Sequence, residues 1–223
     1  MRVSDVIALP VQWGAALRHR KLFHPNGVVA SGRFDRLAAP GDGLPMRSGH
    51  VICRLSKGVG LPGSLPDVGG VAWRIDATDD AADGSWDVLL ASVARGRLGR
   101  VLLRPLTSWS NAEFSTLVPL AYGGRSWWLR ARIATPIPDA GLALDTVVQR
   151  IAVGPLEIDV ENAAGTGAFR TLGRLSLTEL VPCGDVSFDP VLNEAPGVSM
   201  RPRWLTEFRR AAYQRSRRGR NAG

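Results

Sequence analysis

The sequence predicts an all-β-dominated α+β domain, an antiparallel sandwich or barrel with helical segments at both ends. Three observations predict it. Short runs rich in Val, Ile, Trp and Leu recur between Gly, Pro and Asp clusters, without regular helices between them. Both ends of the chain change to a helical spacing of apolar and basic residues. No internal repeat or low-complexity linker divides the 223 residues, so 1–223 is read as one domain.

In order along the chain, residues 1–21 carry Val3, Val6, Ile7, Val11 and Leu17 and end in Arg18, His19, Arg20 and Lys21, the pattern of a short amphipathic helix or arm. Residues 22–185 hold the strands. A first set falls at 27–34, 50–55, 71–75 and 86–90, each bounded by turn-forming residues. A mixed stretch at 111–120 has helical character, and a second set of strands follows at 126–133, 146–160 and 169–181. Residues 186–223 leave the strand pattern. Phe188, Asp189 and Pro190 open a loop through Pro196 and Gly197, and 202–218 reads as a helix.

Composition narrows the function classes. A hydrophobic share of 45% can fill a sizeable core. No apolar run reaches the roughly 18 residues a membrane helix needs, and Asp5, Pro10 and Gln12 interrupt the first segment, so a soluble, cytoplasmic protein without membrane insertion is expected. Cys53 and Cys183 fit neither a zinc site nor a CxxC motif and are expected in the core. The net charge of +8 is concentrated in Arg201, Arg203, Arg209, Arg210, Arg215, Arg217, Arg218 and Arg220. Such an end serves either a polyanion such as nucleic acid, the less favoured partner here, or a site that binds carboxylates.

Several residues stand out for their chemistry. His24 sits in a Phe-His-Pro-Asn-Gly turn leading into the first strand, from which an imidazole can project. Arg54 and Ser56 share one face of the second strand because Leu55 turns the other way. Arg209 and Tyr213 are four apart, one face of a helix, and a guanidinium near a phenol favours the phenolate, a ligand for ferric iron. Trp127 and Trp128, adjacent in a strand, are expected to divide between core and surface.

These features occur in the order and approximate spacing of the haem catalases. The run His24-Pro-Asn-Gly-Val-Val-Ala-Ser-Gly-Arg-Phe34 resembles the segment bearing the catalase distal histidine and first barrel strand. Cys53-Arg-Leu-Ser56 resembles Arg-Phe-Ser, Asp67-Val-Gly-Gly-Val-Ala72 resembles Asp-x-x-Gly-Phe-Ala, and Ser85-Trp-Asp87 resembles Asn-Trp-Asp. Phe188-Asp-Pro190, Pro196-Gly-Val198 and Arg209-Arg-Ala-Ala-Tyr213 resemble the family's approach to its proximal helix.

The resemblance implies a catalase-like β-barrel and a haem cofactor. It makes His24 the distal acid/base, Ser56 the hydroxyl that sets its tautomer, and Tyr213 the iron ligand, held as a phenolate by Arg209. Lys21, Arg54 and Arg220 would pair with the haem carboxylates, and Phe23 would pack on the porphyrin. Where the family has a peroxide-positioning asparagine this chain has Ala91, with Ser92 as the neighbouring substitute. The implied activity is therefore a haem peroxidase acting on organic or bulky hydroperoxides with a small-molecule reductant, with weak hydrogen peroxide dismutation. A non-enzymatic binder of haem or another hydrophobic ligand is the alternative, and a homodimer is compatible with either.

Overall fold

Residues 27–76, 84–94, 96, 99–137, 141–182, 186–190 and 192–201 are described here from a computed structural model. The strands are β1 (Gly27–Arg36), β2 (Gly49–Lys57), β3 (Gly69–Ile75), β4 (Trp86–Ser92), β5 (Glu113–Ser115), β6 (Leu120–Tyr122), β7 (Arg125–Ile133), β8 (Leu156–Ala164), β9 (Arg170–Leu180) and β10 (Ser199–Met200). A single helix among the described residues, α1 (Leu144–Val153), lies between β7 and β8.

All ladders are antiparallel, in the order β8-β9-β1-β2-β3-β4-β5-β7, and β7 pairs back onto β8. The result is a closed eight-stranded barrel. Closure removes the unpaired edge that an open sheet would expose. β6 shares the β5 edge of β7, joined to it by a Gly123-Gly124 turn whose φ angles of +55° and +73° favour glycine at both central positions. β10 extends from β6.

Alternation decides which side chains fill the barrel. In β2, Val51, Cys53 and Leu55 are fully buried, while His50, Ile52 and Arg54 on the other face are not. Phe34, Trp73, Phe114, Leu129 and Ile158 come from five different strands and join the same core. Each side chain of this size contributes roughly 1.5–3 kcal/mol when fully buried.

The structure corrects the α+β expectation. The described residues are barrel-dominated, and their one α-helix is internal to the chain, not terminal. The helices expected at 1–21 and 202–218 lie outside the described residues. Two internal elements were also misread. Stretch 111–120, expected to be helical, forms β5 and β6, linked through the left-handed residue Leu117 at φ +60°. Stretch 146–160, expected to be one strand, is divided between α1 and β8. The physical reason is spacing. Val147 and Ile151 are buried, and Leu144 and Val148 pack against the same core, an i, i+3, i+4, i+7 stripe of β-branched and leucine side chains. Their β propensity concealed that period.

Ser187, Asp189 and Asn193 dock on the outside of β3 and β4, where Arg74 on β3 and Asp87 on β4 hold them. The Asp87 carboxylate accepts both Nε and a terminal nitrogen of Arg74 at 2.7 Å, the Asp189 amide at 2.6 Å and the Asn193 side chain at 2.8 Å. Asp87 is fully buried and its hydrogen bond to Arg74 raises the guanidinium above its ordinary pKa.

Candidate functional site

Directly opposed residues in an antiparallel ladder point to the same face. Reading the registers across β1 to β4 therefore gives the outer surface of the barrel row by row. One row is Val29, Arg54, Ala72 and Leu89. The next is Gly27, Ser56, Gly70 and Ala91, continued onto β5 by Ser115. A third is Ser31, Ile52, Arg74 and Asp87, of which Arg74 and Asp87 hold the docked residues Ser187, Asp189 and Asn193.

The first two rows carry small side chains beside Val29, Leu89 and the Arg54 guanidinium. At roughly 4.8 Å per strand gap, β1 to β4 span about 14 Å. Gly27 is needed there for space: a Cβ would stand 2.5 Å from Arg54 Nε and 3.2 Å from Ser56 Cβ. The missing side chain lets the Arg54 guanidinium lie across the start of β1. Ser56 is buried and its hydroxyl donates to Gly70 O at 3.5 Å, the long limit for such a bond.

Of the residues expected to carry function, Arg54 and Ser56 are brought together on this face. Lys21, Phe23, His24, Arg209, Tyr213 and Arg220 lie outside the described residues. Ala91 is in the Ser56 row. Ser92 cannot replace that amide. It points to the opposite face, fully buried, and its hydroxyl accepts from Gly69 N at 3.0 Å and donates to Arg104 O at 2.6 Å.

Two other motif residues serve the scaffold. Asp67 accepts from the amides of Val59, Gly60 and Leu61 at 2.8 to 3.0 Å and so closes the loop between β2 and β3. Trp128 lies outside the barrel with the Arg100 guanidinium 5.4 Å from its ring, while Trp127 packs toward the core and donates to Tyr122 O. Cys53 is a core residue as expected, and Cys183 lies outside the described residues.

Ser115 was missed by sequence reasoning. Its strand is three residues long and was hidden inside an expected helix, so no alternation marked its face. A separate concavity of about 450 Å³ on β9, β1 and β2 is lined by Ser31, Arg33, His50, Ser176 and Glu179. Its His50–Asp76 contact of 3.2 Å is half or more exposed at both partners, so water screens it and it is the weaker candidate. Among the described residues no group of three or more His, Cys, Asp or Glu side chains is placed to hold a metal ion. Among them, too, no helix is long and apolar enough to cross a membrane.

No family model matches this chain, and no curated protein matches it significantly.

Proposed function

We propose that the chain is a cytoplasmic haem protein related to the catalases, a peroxidase that reduces organic or bulky hydroperoxides with electrons from a small-molecule reductant. One observation carries this reading. Four separate sequence segments, around Gly27, Arg54 to Ser56, Gly70 to Ala72 and Ala91, supply adjacent positions of one outer face through strand register. Three of them lie in segments that resemble catalases, and the fourth follows the Ser85-Trp-Asp87 run.

The residues present fit the group on chemical grounds. A flat, rigid ligand is favoured by a face with small side chains, and glycine and alanine at 27, 70, 72 and 91 supply them beside Val29 and Leu89. A dicarboxylate needs cations, and Arg54 is one such cation on that face, with Lys21 and Arg220 as further partners. Tyr213 would hold the iron and Arg209 would keep its phenol ionised. Haem, when bound, supplies the redox-active iron that peroxide reduction requires.

The chain's own residues then bind and move protons. Ser56 is the register partner of Gly27, the first residue of β1, and by the resemblance its hydroxyl would orient the imidazole of His24. His24 would take the proton from one peroxide oxygen and return it to the other, so that the O–O bond breaks with release of an alcohol, and two electrons and two protons from the reductant carry the remaining oxygen to water. Proton transfer of this kind contributes about 10²–10⁴-fold. Ala91, a methyl where an amide would orient a second hydrogen peroxide, favours peroxidase turnover over dismutation.

Titrating the full chain with hemin tests the proposal. A saturating Soret band at one hemin per chain is expected, with turnover of cumene hydroperoxide and little oxygen release from hydrogen peroxide. Arg54→Glu should weaken hemin binding by about tenfold or more, the equivalent of one charge-assisted hydrogen bond. Absence of a Soret band overturns the reading. Hemin bound without turnover selects instead the non-enzymatic carrier that the Ala91 methyl also permits.

A further inference from the structure

We propose that the loop between β2 and β3, residues 58–66, seats the barrel on an anionic lipid surface, lying in the interface without spanning it. The proposal stands apart from the haem reading and does not depend on it. The loop, Gly-Val-Gly-Leu-Pro-Gly-Ser-Leu-Pro, carries no charged side chain. Val59, Leu61 and Leu65 are 61%, 40% and 50% exposed. Exposed apolar residues scattered singly need no explanation, but three on one short loop form a patch.

Apolar side chains enter a lipid interface at low cost only where the backbone beneath them makes its own hydrogen bonds. This loop largely does. The amides of Val59, Gly60 and Leu61 donate to the Asp67 carboxylate, that of Gly58 to Val68 O and that of Leu65 to Pro62 O, while Pro62 and Pro66 have no N–H. The buried Lys57 ammonium donates to Gly63 O at 2.8 Å and Leu65 O at 3.3 Å, and Leu142 N donates to Ser64 O. Asp67 and Lys57 thus hold the polar backbone to the barrel and leave the apolar side chains outside.

Charge selects the partner. The connection from β4 to β5, 93–112, contains Arg95, Arg97, Arg100 and Arg104 and no Asp or Glu. It joins the base of the loop where Leu106 and Asp67 exchange both backbone hydrogen bonds. Arg104 is exposed and makes no ion pair among the described residues. A chain of net charge +8 is repelled by a second copy of itself and attracted to anionic headgroups.

Co-sedimentation of the full chain, without hemin, with vesicles of equal parts phosphatidylcholine and phosphatidylglycerol tests the proposal. Binding is expected. Val59→Ser, Leu61→Ser and Leu65→Ser together should lower the partition coefficient about tenfold or more with the melting temperature unchanged. Val59→Phe, which adds apolar area, should raise it. The arginine-rich chain end also attracts anionic lipid, so undiminished binding by the triple variant assigns the attraction to charge alone and overturns the proposal. No binding by the unaltered chain overturns it as well. A dimer of the unaltered chain that the triple variant lacks, without vesicle binding, makes the loop a contact between copies and also overturns it.

Discussion

Cys53 faces the barrel interior with no exposed surface, and burial pushes its thiol up to about 12 from an ordinary 9.0. A raised folded-state value favours the neutral thiol. Its stabilising contribution is complete below about pH 9 and is lost as pH rises toward 12. Native protein at pH 8 should therefore resist thiol labelling at Cys53 until denaturant is added, and a pH titration of unfolding should show stability falling above pH 9. A second prediction concerns Gly173 on β9. A Cβ there would stand 2.3 Å from Phe34 Cζ and 2.4 Å from Asp35 O, and Phe34 is fully buried and cannot yield. Gly173→Ala should cost about 1–3 kcal/mol in urea unfolding. The burial of Cys53 was expected from sequence, whereas the close approach of Phe34 to Gly173 was not, because a glycine carries no mark of what lies across the strand.

At the scale of elements, the bond between the barrel and the segment at 186–193 depends on one carboxylate. Asp87 is fully buried, whereas Arg74 is 26% exposed, so the pair lies between a buried and a surface ion pair. Asp87→Ala should destabilise by about 3 kcal/mol, the lower end of the range for breaking a buried pair. The same variant should be cleaved faster by protease within 186–193, because the Asp189 amide and the Asn193 side chain lose their acceptor. The sequence marked Trp86-Asp87 as a motif but could not say what the aspartate held. Arg74 faces it across the β3–β4 ladder, whereas Asn193 is distant in sequence and meets it only when its segment docks on the barrel. The elements themselves were legible where period and turn residues agreed, as in β1 to β4. They were misread at α1, where valine and isoleucine at helical spacing suggested a strand.

For the whole molecule, closure is the governing fact. β1 pairs with β2 on one side and with β9 on the other, so its ladder unites sequence neighbours with residues near the far end of the described chain. Such a barrel cannot lose one strand without exposing two edges. Far-ultraviolet dichroism and tryptophan fluorescence, the latter reporting Trp73 and Trp109 in the core, should follow one coincident unfolding transition. Separate transitions would mean that the two strand sets fold independently. Refolding should take milliseconds to seconds, as non-local pairings require.

The strands β1 to β4 with their turns, the basic residues near the chain's end and the polar face of β2 were determined by the sequence alone, because alternation and turn chemistry are local properties. Barrel closure, the placement of α1, the inward turn of Ser92 and the alignment of Ser115 with Ala91 were decided by tertiary structure. Register between strands is set by core packing across the whole barrel, and a shift of one residue would exchange inside for outside along an entire strand. No local window of residues contains that information.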